Sequence, residues 1–274
     1  MRIDLHTHST VSDGTGSPAQ VIREAAEAGL DVVALADHDS TAGWDEAQAE
    51  ADALGIELVP AIEISAKDRW VSIHLLAYWP RRDDPTLVDM MEATRAARVG
   101  RAQQIVERIA ADYPLTWDDV ATHAHGSVTV GRPHIADALV AKGVFPSRDA
   151  VFAEVLRNGS RYYVPHYAPD VRDVIRAVRA AGGVPVFAHP GAHTRGRIVP
   201  DAVIADLASV GLAALEVDHR DHDDEARERL AALAERHGLL RTGSSDYHGT
   251  GKLNRLGENL TAPEVFEALR AQHA

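Results

Sequence analysis

Short apolar runs recur along the 274-residue chain, most followed by a helix-like segment and several carrying or ending in histidine or a carboxylate. The first runs from Arg2 to Ser9, and because strand side chains alternate between faces, His6 and His8 project the same way. Val32 to Ala36 runs into Asp37-His38-Asp39, Ile56 to Ser65 carries Glu63, and Val71 to Tyr78 carries His74. Val184 to Ala188 ends in His189, Leu212 to Val217 follows, and Leu239 to Gly243 enters Ser244-Ser245-Asp246-Tyr247-His248. Apolar runs bounded by polar residues are the pattern of buried parallel strands. About seven of them in β/α alternation predict an α/β fold and favour a closed (β/α)7 barrel over an open sheet, which alternation alone does not distinguish.

Helix signals fill the intervals. Ser17-Pro18-Ala19-Gln20 supplies a capping serine, a first-turn proline and a capping-box glutamine, and Gly29 closes the helix. Further helices are expected from about Ala42 to Leu54, Asp170 to Ala180, Pro200 to Ser209, Asp223 to His237 and Pro263 to Ala271. Between 84 and 161 the strand signal stops. Helical spacing over Thr94 to Ala111, a new start at Thr116-Trp117-Asp118-Asp119, and segments Pro133 to Lys142 and Arg148 to Leu156 replace it. The expected organisation is a barrel from 1–83 and 162–274, with 84–161 a helical insertion, a cap subdomain over its open end.

Composition narrows the chemistry. With no cysteine, disulfides, thiolate metal sites and cysteine nucleophiles are excluded, so any metal must sit on nitrogen and oxygen. A formal charge of −13 argues against a protein that coats duplex nucleic acid. No stretch approaches the roughly 18 apolar residues of a membrane span, and no signal core follows Met1, so a cytoplasmic protein with no membrane partner is expected.

In such barrels, reactive residues gather at the carboxyl ends of strands. His6, His8, Asp13, His38, Glu63, His74, His189, Asp246 and His248 all fall at, within or just after those ends. Six imidazoles and three carboxylates exceed what one ion takes, so two or three divalent ions are expected, with Glu63 the natural bridge. Such donors suit zinc, manganese or iron. The ions would keep the pocket positive inside an acidic protein and draw in a phosphate. A bridging water would lose its proton at neutral pH and attack phosphorus in line.

The set His6-Thr7-His8-Ser9, Asp13-Gly14, Asp37-His38-Asp39, Glu63, His74, Ala188-His189-Pro190 and Asp246-Tyr247-His248 resembles the polymerase and histidinol phosphatase (PHP) family over nearly the whole chain. The resemblance implies a distorted seven-stranded barrel and a two- or three-metal phosphoesterase site. Gly131-Arg132-Pro133-His134 in the helical segment is similar to the bacterial branch of nucleotide phosphatases, 3′,5′-bisphosphate nucleotidases and 5′-to-3′ exoribonucleases. That likeness implies hydrolysis of nucleotide phosphate monoesters or short RNA 5′ ends. It further implies one ion on His6, His8, Glu63 and Asp246, a second on Glu63, His74 and His189, and a third on Asp13, His38 and His248.

Arg132 and His134 are candidates for gripping phosphate oxygens, since a proline in the first turn leaves backbone N–H groups facing an anion. Capping the fold is the alternative role for Arg132, and a surface position for His134. Arg197 and His219, near strand-end loops, are further substrate-binding candidates, with loop salt bridges the alternative. His193, His222 and His237 are read as structural or solvated, and Trp44 and Trp117 as helix packing. Two competing functions are carried: an amidohydrolase-like or histidinol-phosphatase-like metallohydrolase, and a metal-binding polymerase-associated module without turnover. An amidohydrolase barrel typically carries a carboxylated lysine at mid-barrel, and no lysine here follows a strand at that place.

Overall fold

The computed structural model describes residues 1–124, 130–165 and 167–273. In chain order the elements are β1 (Ile3–Thr7), α1 (Pro18–Glu27), β2 (Val32–Leu35), α2 (Trp44–Leu54), β3 (Glu57–Asp68) and β4 (Val71–Tyr78). There follow α3 (Pro85–Ile109), α4 (Trp117–His123), α5 (Arg132–Ala141), α6 (Arg148–Glu154) and α7 (Val171–Ala180). The last are β5 (Val184–Phe187), α8 (Asp201–Ser209), β6 (Ala214–Asp218), α9 (Asp224–His237), β7 (Leu240–Gly243) and α10 (Pro263–Arg270).

The seven strands hydrogen-bond in sequence order, β1 to β7. The sheet then comes nearly full circle, because Thr7 bridges Tyr247 in parallel, and His8 N–H donates to Tyr247 O at 2.8 Å. The result is a nearly closed, distorted (β/α)7 barrel. Its alternation breaks at one place. β3 and β4 form an antiparallel hairpin, and β4 pairs antiparallel with β5. Only residues 69 and 70 separate β3 from β4, far short of the dozen or more that a parallel crossover needs. β3 also runs to Asp68, beyond the expected end at Ser65, so the hairpin projects past the mouth.

Apolar side chains divide by strand face. Ile3, Leu5, Val32, Ala34, Val59, Ala61, Leu76 and Tyr78 fill the barrel, while Ile62, Ile64, Ile73, Leu75 and Leu215 face the outer helices. Trp44 is buried in the outer layer and donates its indole N–H to Ala61 O. A separate cluster joins Ala102, Ile105 and Ile109 of α3 to Val120, Ile135, Leu139 and Val151 of α4 to α6, with Trp117 against it. α3 starts nine residues ahead of Thr94, because Asp84 caps it and Pro85 takes the first position. Its first turns, through Leu87 and Met91, pack with the barrel's outer layer.

Candidate metal centre

β1 delivers two imidazoles into the mouth. His6 Nε2 and His8 Nε2 lie 3.0 Å apart, and Glu63 Oε2 lies 3.3 Å from the first and 3.1 Å from the second. Asp246 Oδ1 lies 3.5 Å from His6 Nε2 and 3.3 Å from His8 Nε2. Four tetrahedral donors at about 2.0–2.1 Å from an ion stand about 3.3 Å from one another. The quartet therefore has the separation of a ligand set around one cation.

Glu63 divides the cluster between its two oxygens. Oε2 faces His6, His8 and His38, the last at 3.3 Å from Nδ1, whereas Oε1 lies 2.8 Å from His74 Nδ1 and 3.0 Å from His189 Nε2. Asp13 stands on the far side, 3.2 Å from His248 Nε2 and 3.9 Å from His38 Nε2. All nine residues expected as metal ligands thus meet in one mouth. Among the described residues, two further overlapping groups have donors close enough for a shared ion: His8, Asp13 and His38, and His38, Glu63 and His74.

The imidazoles are oriented from behind. His6 Nδ1 faces Glu216 Oε1 at 3.0 Å, so the ring donates there and leaves the Nε2 lone pair toward the quartet. His248 Nδ1 donates to Asp246 O at 2.8 Å, and its buried Nε2, though 3.2 Å from Asp13 Oδ1, makes no hydrogen bond among the described residues, as a nitrogen kept for a cation would not. Asp37 accepts from Ser9 N–H, Ser9 Oγ and Ser12 Oγ, which pins the loop after β1. A Cβ at Gly14 would run into the His8 carbonyl oxygen, so that loop can close only with glycine there. Asp39, His189 and Asp246 take left-handed φ of 49°, 35° and 53°. Such strain on non-glycine residues persists only where the surroundings impose it.

Burial by itself would raise the carboxyls of Asp13, Glu63 and Asp246, yet all three are held well below the usual range. Surrounding imidazoles prevail at Asp13 and Glu63, and Lys252 and Arg195 prevail at Asp246. Burial opposes charge on His8 too, but hydrogen bonds to Asp246 and Glu63 lift it to about 9. Burial keeps His189 neutral down to about 3 and His248 down to about 4. Against burial, negative carboxylates also raise His6 well above its usual value. Ionised carboxylates therefore face imidazoles of which some hold a proton and others, such as His189 and His248, do not; a divalent cation would displace those protons and take the nitrogens as ligands. The residues present fit the metal.

The substrate-binding candidates fall differently. His134 is buried on α5, and its Nδ1 accepts Gly131 N–H. Burial lowers its pKa, with Asp13 close enough to oppose that, so the ring borders the cluster. Arg132 donates to Leu156 O and Asn158 Oδ1 and lies over the Phe152 ring. Its guanidinium thus braces the helical segment. His219 is fully buried, its Nε2 3.6 Å from Asp246 Oδ2 and without a hydrogen-bond partner among the described residues. Because Nδ1 accepts Asp221 N–H, the ring's hydrogen is on Nε2. Arg197 is exposed, and from the same loop it is Arg195 that reaches Asp246 Oδ2, at 2.6 Å. His222 is structural, donating from Nδ1 to Val217 O and accepting Gly191 N–H.

Two functional side chains escaped the sequence reading. Glu216 was findable, as a lone carboxylate inside the apolar run Leu212 to Val217, the signal that singled out Glu63. Arg195, which holds Asp246 Oδ2, sits in a polar loop where nothing local marks it, whereas Lys252, its partner on that oxygen, opens the segment Lys252 to Asn259 that the sequence offers either as lining of the mouth or as a solvated loop.

Barrel, mouth and donor set define a metal-dependent hydrolase of the phosphoesterase kind. A PHP domain model matches residues 4–120. A 3′,5′-nucleoside bisphosphate phosphatase of Chromobacterium violaceum is 32% identical over 92% of this chain and 89% of its own length. A 5′-3′ exoribonuclease of Haemophilus influenzae is 32% identical over 94% of each. A solved structure from Bifidobacterium adolescentis, described as a metal-dependent phosphoesterase, superposes with a TM-score of 0.96 at 44% identity, covering 99% of this chain and 96% of that one. The chain belongs to the PHP family, and it is a metal-dependent phosphoric ester hydrolase.

Proposed function

We propose that this enzyme removes phosphate from nucleotides, either 3′,5′-bisphosphates or the 5′ ends of short RNA. The observation that carries the reading is the split of Glu63, whose two oxygens address two sets of imidazoles at 2.8–3.3 Å. A carboxylate so placed suits a bridge between ions. His6, His8, Glu63 and Asp246 would hold one ion, Glu63, His74 and His189 a second, and Asp13, His38 and His248 a third, with manganese, zinc or iron the metals that such donors favour. Divalent ions held by these residues would supply the Lewis acidity that activates water at neutral pH and offsets negative charge on a phosphate. The names of the relatives from Chromobacterium violaceum and Haemophilus influenzae support nucleotide and RNA substrates.

The chain's own groups orient that chemistry. Arg195 and Lys252 hold Asp246 Oδ2 and leave Oδ1 toward His6 and His8. His219 offers an Nε2 proton at the mouth, suited to a phosphate or leaving-group oxygen. His134 and Arg132 open α5, where backbone N–H groups favour an anion, and residues 84–161 act as the cap over the mouth. Substrates are small, since an acidic surface repels a long polyanion away from the site.

The test is phosphate release by protein loaded with manganese, across nucleoside monophosphates, 3′,5′-bisphosphates and 5′-phosphorylated short RNA. Release from bisphosphates or RNA ends is expected. Protein that binds two or more ions per chain and releases phosphate from none of them overturns the proposal.

A further inference from the structure

The β3–β4 hairpin carries a feature that hydrolysis of a mononucleotide does not use. Ser65 pairs with His74, and Lys67 with Ser72. Alternation therefore puts Glu63, Ser65 and Lys67, with His74 and Ser72, on the face that continues the barrel interior. The other face, through Ile64, Ala66 and Ile73, is buried with Val171 and Val174 of α7. In the two-residue turn at the end of the hairpin stands Trp70, 91% exposed, the largest exposure of any bulky apolar residue among those described. Four residues of strand rise separate it from His74, about 13 Å.

Cations and a second aromatic line the way. Arg98 of α3 donates to Ser65 Oγ. Lys67 Nζ lies 5.9 Å from the centroid of the Tyr167 ring, itself 53% exposed. Arg69, exposed beside Trp70, takes a left-handed φ of 51°, a strained choice for a tight turn that would favour glycine. Positive side chains interleaved with exposed rings are what single-stranded nucleic acid binds, by backbone neutralisation and base stacking. Here Lys67 continues the face that carries the metal cluster, Tyr167 lies beside it, and Arg69 and Trp70 form the turn beyond, in a protein whose net charge is −13.

We infer that the projecting hairpin is a subsite for the nucleotides that follow the cleaved one, with a base of the chain stacked on Trp70 and phosphates met by Lys67 and Arg69. This rests on the nucleotide reading above and deepens it, because the track matters only to a substrate longer than a mononucleotide. Its short span, set against the acidic remainder of the surface, fits a chain of a few nucleotides.

The experiment compares metal-loaded wild type, W70A and W70F on a 3′,5′-bisphosphate mononucleotide and a 5′-phosphorylated pentaribonucleotide. The ratio of kcat/KM, pentanucleotide over mononucleotide, falls about tenfold in W70A through KM and recovers most of the way in W70F. A second readout needs no turnover. The other tryptophans are buried or half-buried, so a pentaribonucleotide with phosphorothioate linkages quenches wild-type tryptophan fluorescence and leaves that of W70F unchanged. An unaltered ratio together with no quenching overturns the inference, as does an unaltered ratio with a W70A-dependent loss of dimer, which gives Trp70 to a contact between copies. A wild type that cleaves neither substrate yet shows the quenching refutes the nucleotide phosphatase reading and keeps the subsite.

Discussion

Helices α4 and α6 are finished by their immediate neighbours, whereas the barrel mouth is finished by residues from opposite ends of the chain. Thr116 caps α4 and exchanges hydrogen bonds with Asp119 three residues on, Ser147 caps α6, and apolar side chains from α3 to α6 close over one another. At the mouth, His6 depends on Glu216, Asp4 accepts Ser245 N–H, and Asp246 is held by Arg195 and Lys252. The helical segment is arranged for stability, and the mouth concentrates charge, strain and unpartnered nitrogen where a cation and an anion are to be received. The difference teaches where each kind of damage should appear.

The largest effect is expected from Glu63→Gln. It removes the charge shared by both halves of the cluster and should lower phosphate release by about a thousandfold, with the circular dichroism spectrum retained. Turnover within threefold of wild type would dissolve the contrast, since the mouth would then tolerate what only a packing site tolerates. Leu139→Ala, at a fully buried position in the helical cluster, should cost about 2–5 kcal/mol of stability by denaturant titration. The metal content of the folded fraction should not change. Glu216→Gln sits between the two regimes, because the residue touches His6 and not the substrate. A loss of about 10–100-fold in metal affinity is expected, read by competition with a chelator.

Acid should discriminate further. His189 and His248 are neutral in the fold down to about 3 and about 4, while in the unfolded chain each takes its proton near 6.5. The unfolded state binds these protons first, so the stability they permit is full above about 6.5 and lost as pH falls toward 4. Asp4 works the other way, since burial lifts its carboxyl to about 6 and protonation there favours the fold. His8, lifted to about 9, acts with Asp4, but His189 and His248 together with the carboxyls of Asp13, Glu63 and Asp246, held below their usual range, outweigh them and leave chelated protein weaker at pH 4.5 than at pH 7 in urea titration. Equal midpoints would refute the buried, neutral assignment. The smallest effect is expected from Thr116→Ala, about 1 kcal/mol from a lost helix cap, with kcat/KM unaltered.

Legibility followed the same divide. Caps and prolines are local, so α4, α5 and α6 were placed from their own residues to within a position or two. The nine ligand candidates were legible because each interrupts or ends an apolar run, a pattern that survives without knowledge of the fold. The reversal of β4 was not read, although a two-residue connection cannot carry a crossover, because alternation elsewhere favoured the parallel pattern. Arg195 was hidden for a physical reason: a guanidinium on a long stem reaches its partner from a loop whose composition says nothing, and Arg197 beside it looks the same. The start of α3 was missed because its first turns serve the barrel, while the spacing that drew notice, from Val99 to Ile109, serves the cluster beyond.

The seam of the ring lies between the first strand and the last, with Asp4 tied to Ser245 across 241 residues and to Gly257 across 253. During synthesis, then, the earliest donors to leave the ribosome wait longest for their partners, about 12 to 50 s at ordinary elongation rates. For that interval β1 has only β2 to pair with, and an apolar edge stays open. A cell that makes this enzyme must protect that edge or finish translation quickly. Truncation near the carboxyl terminus would thus leave a nascent chain carrying ligands and no metal site.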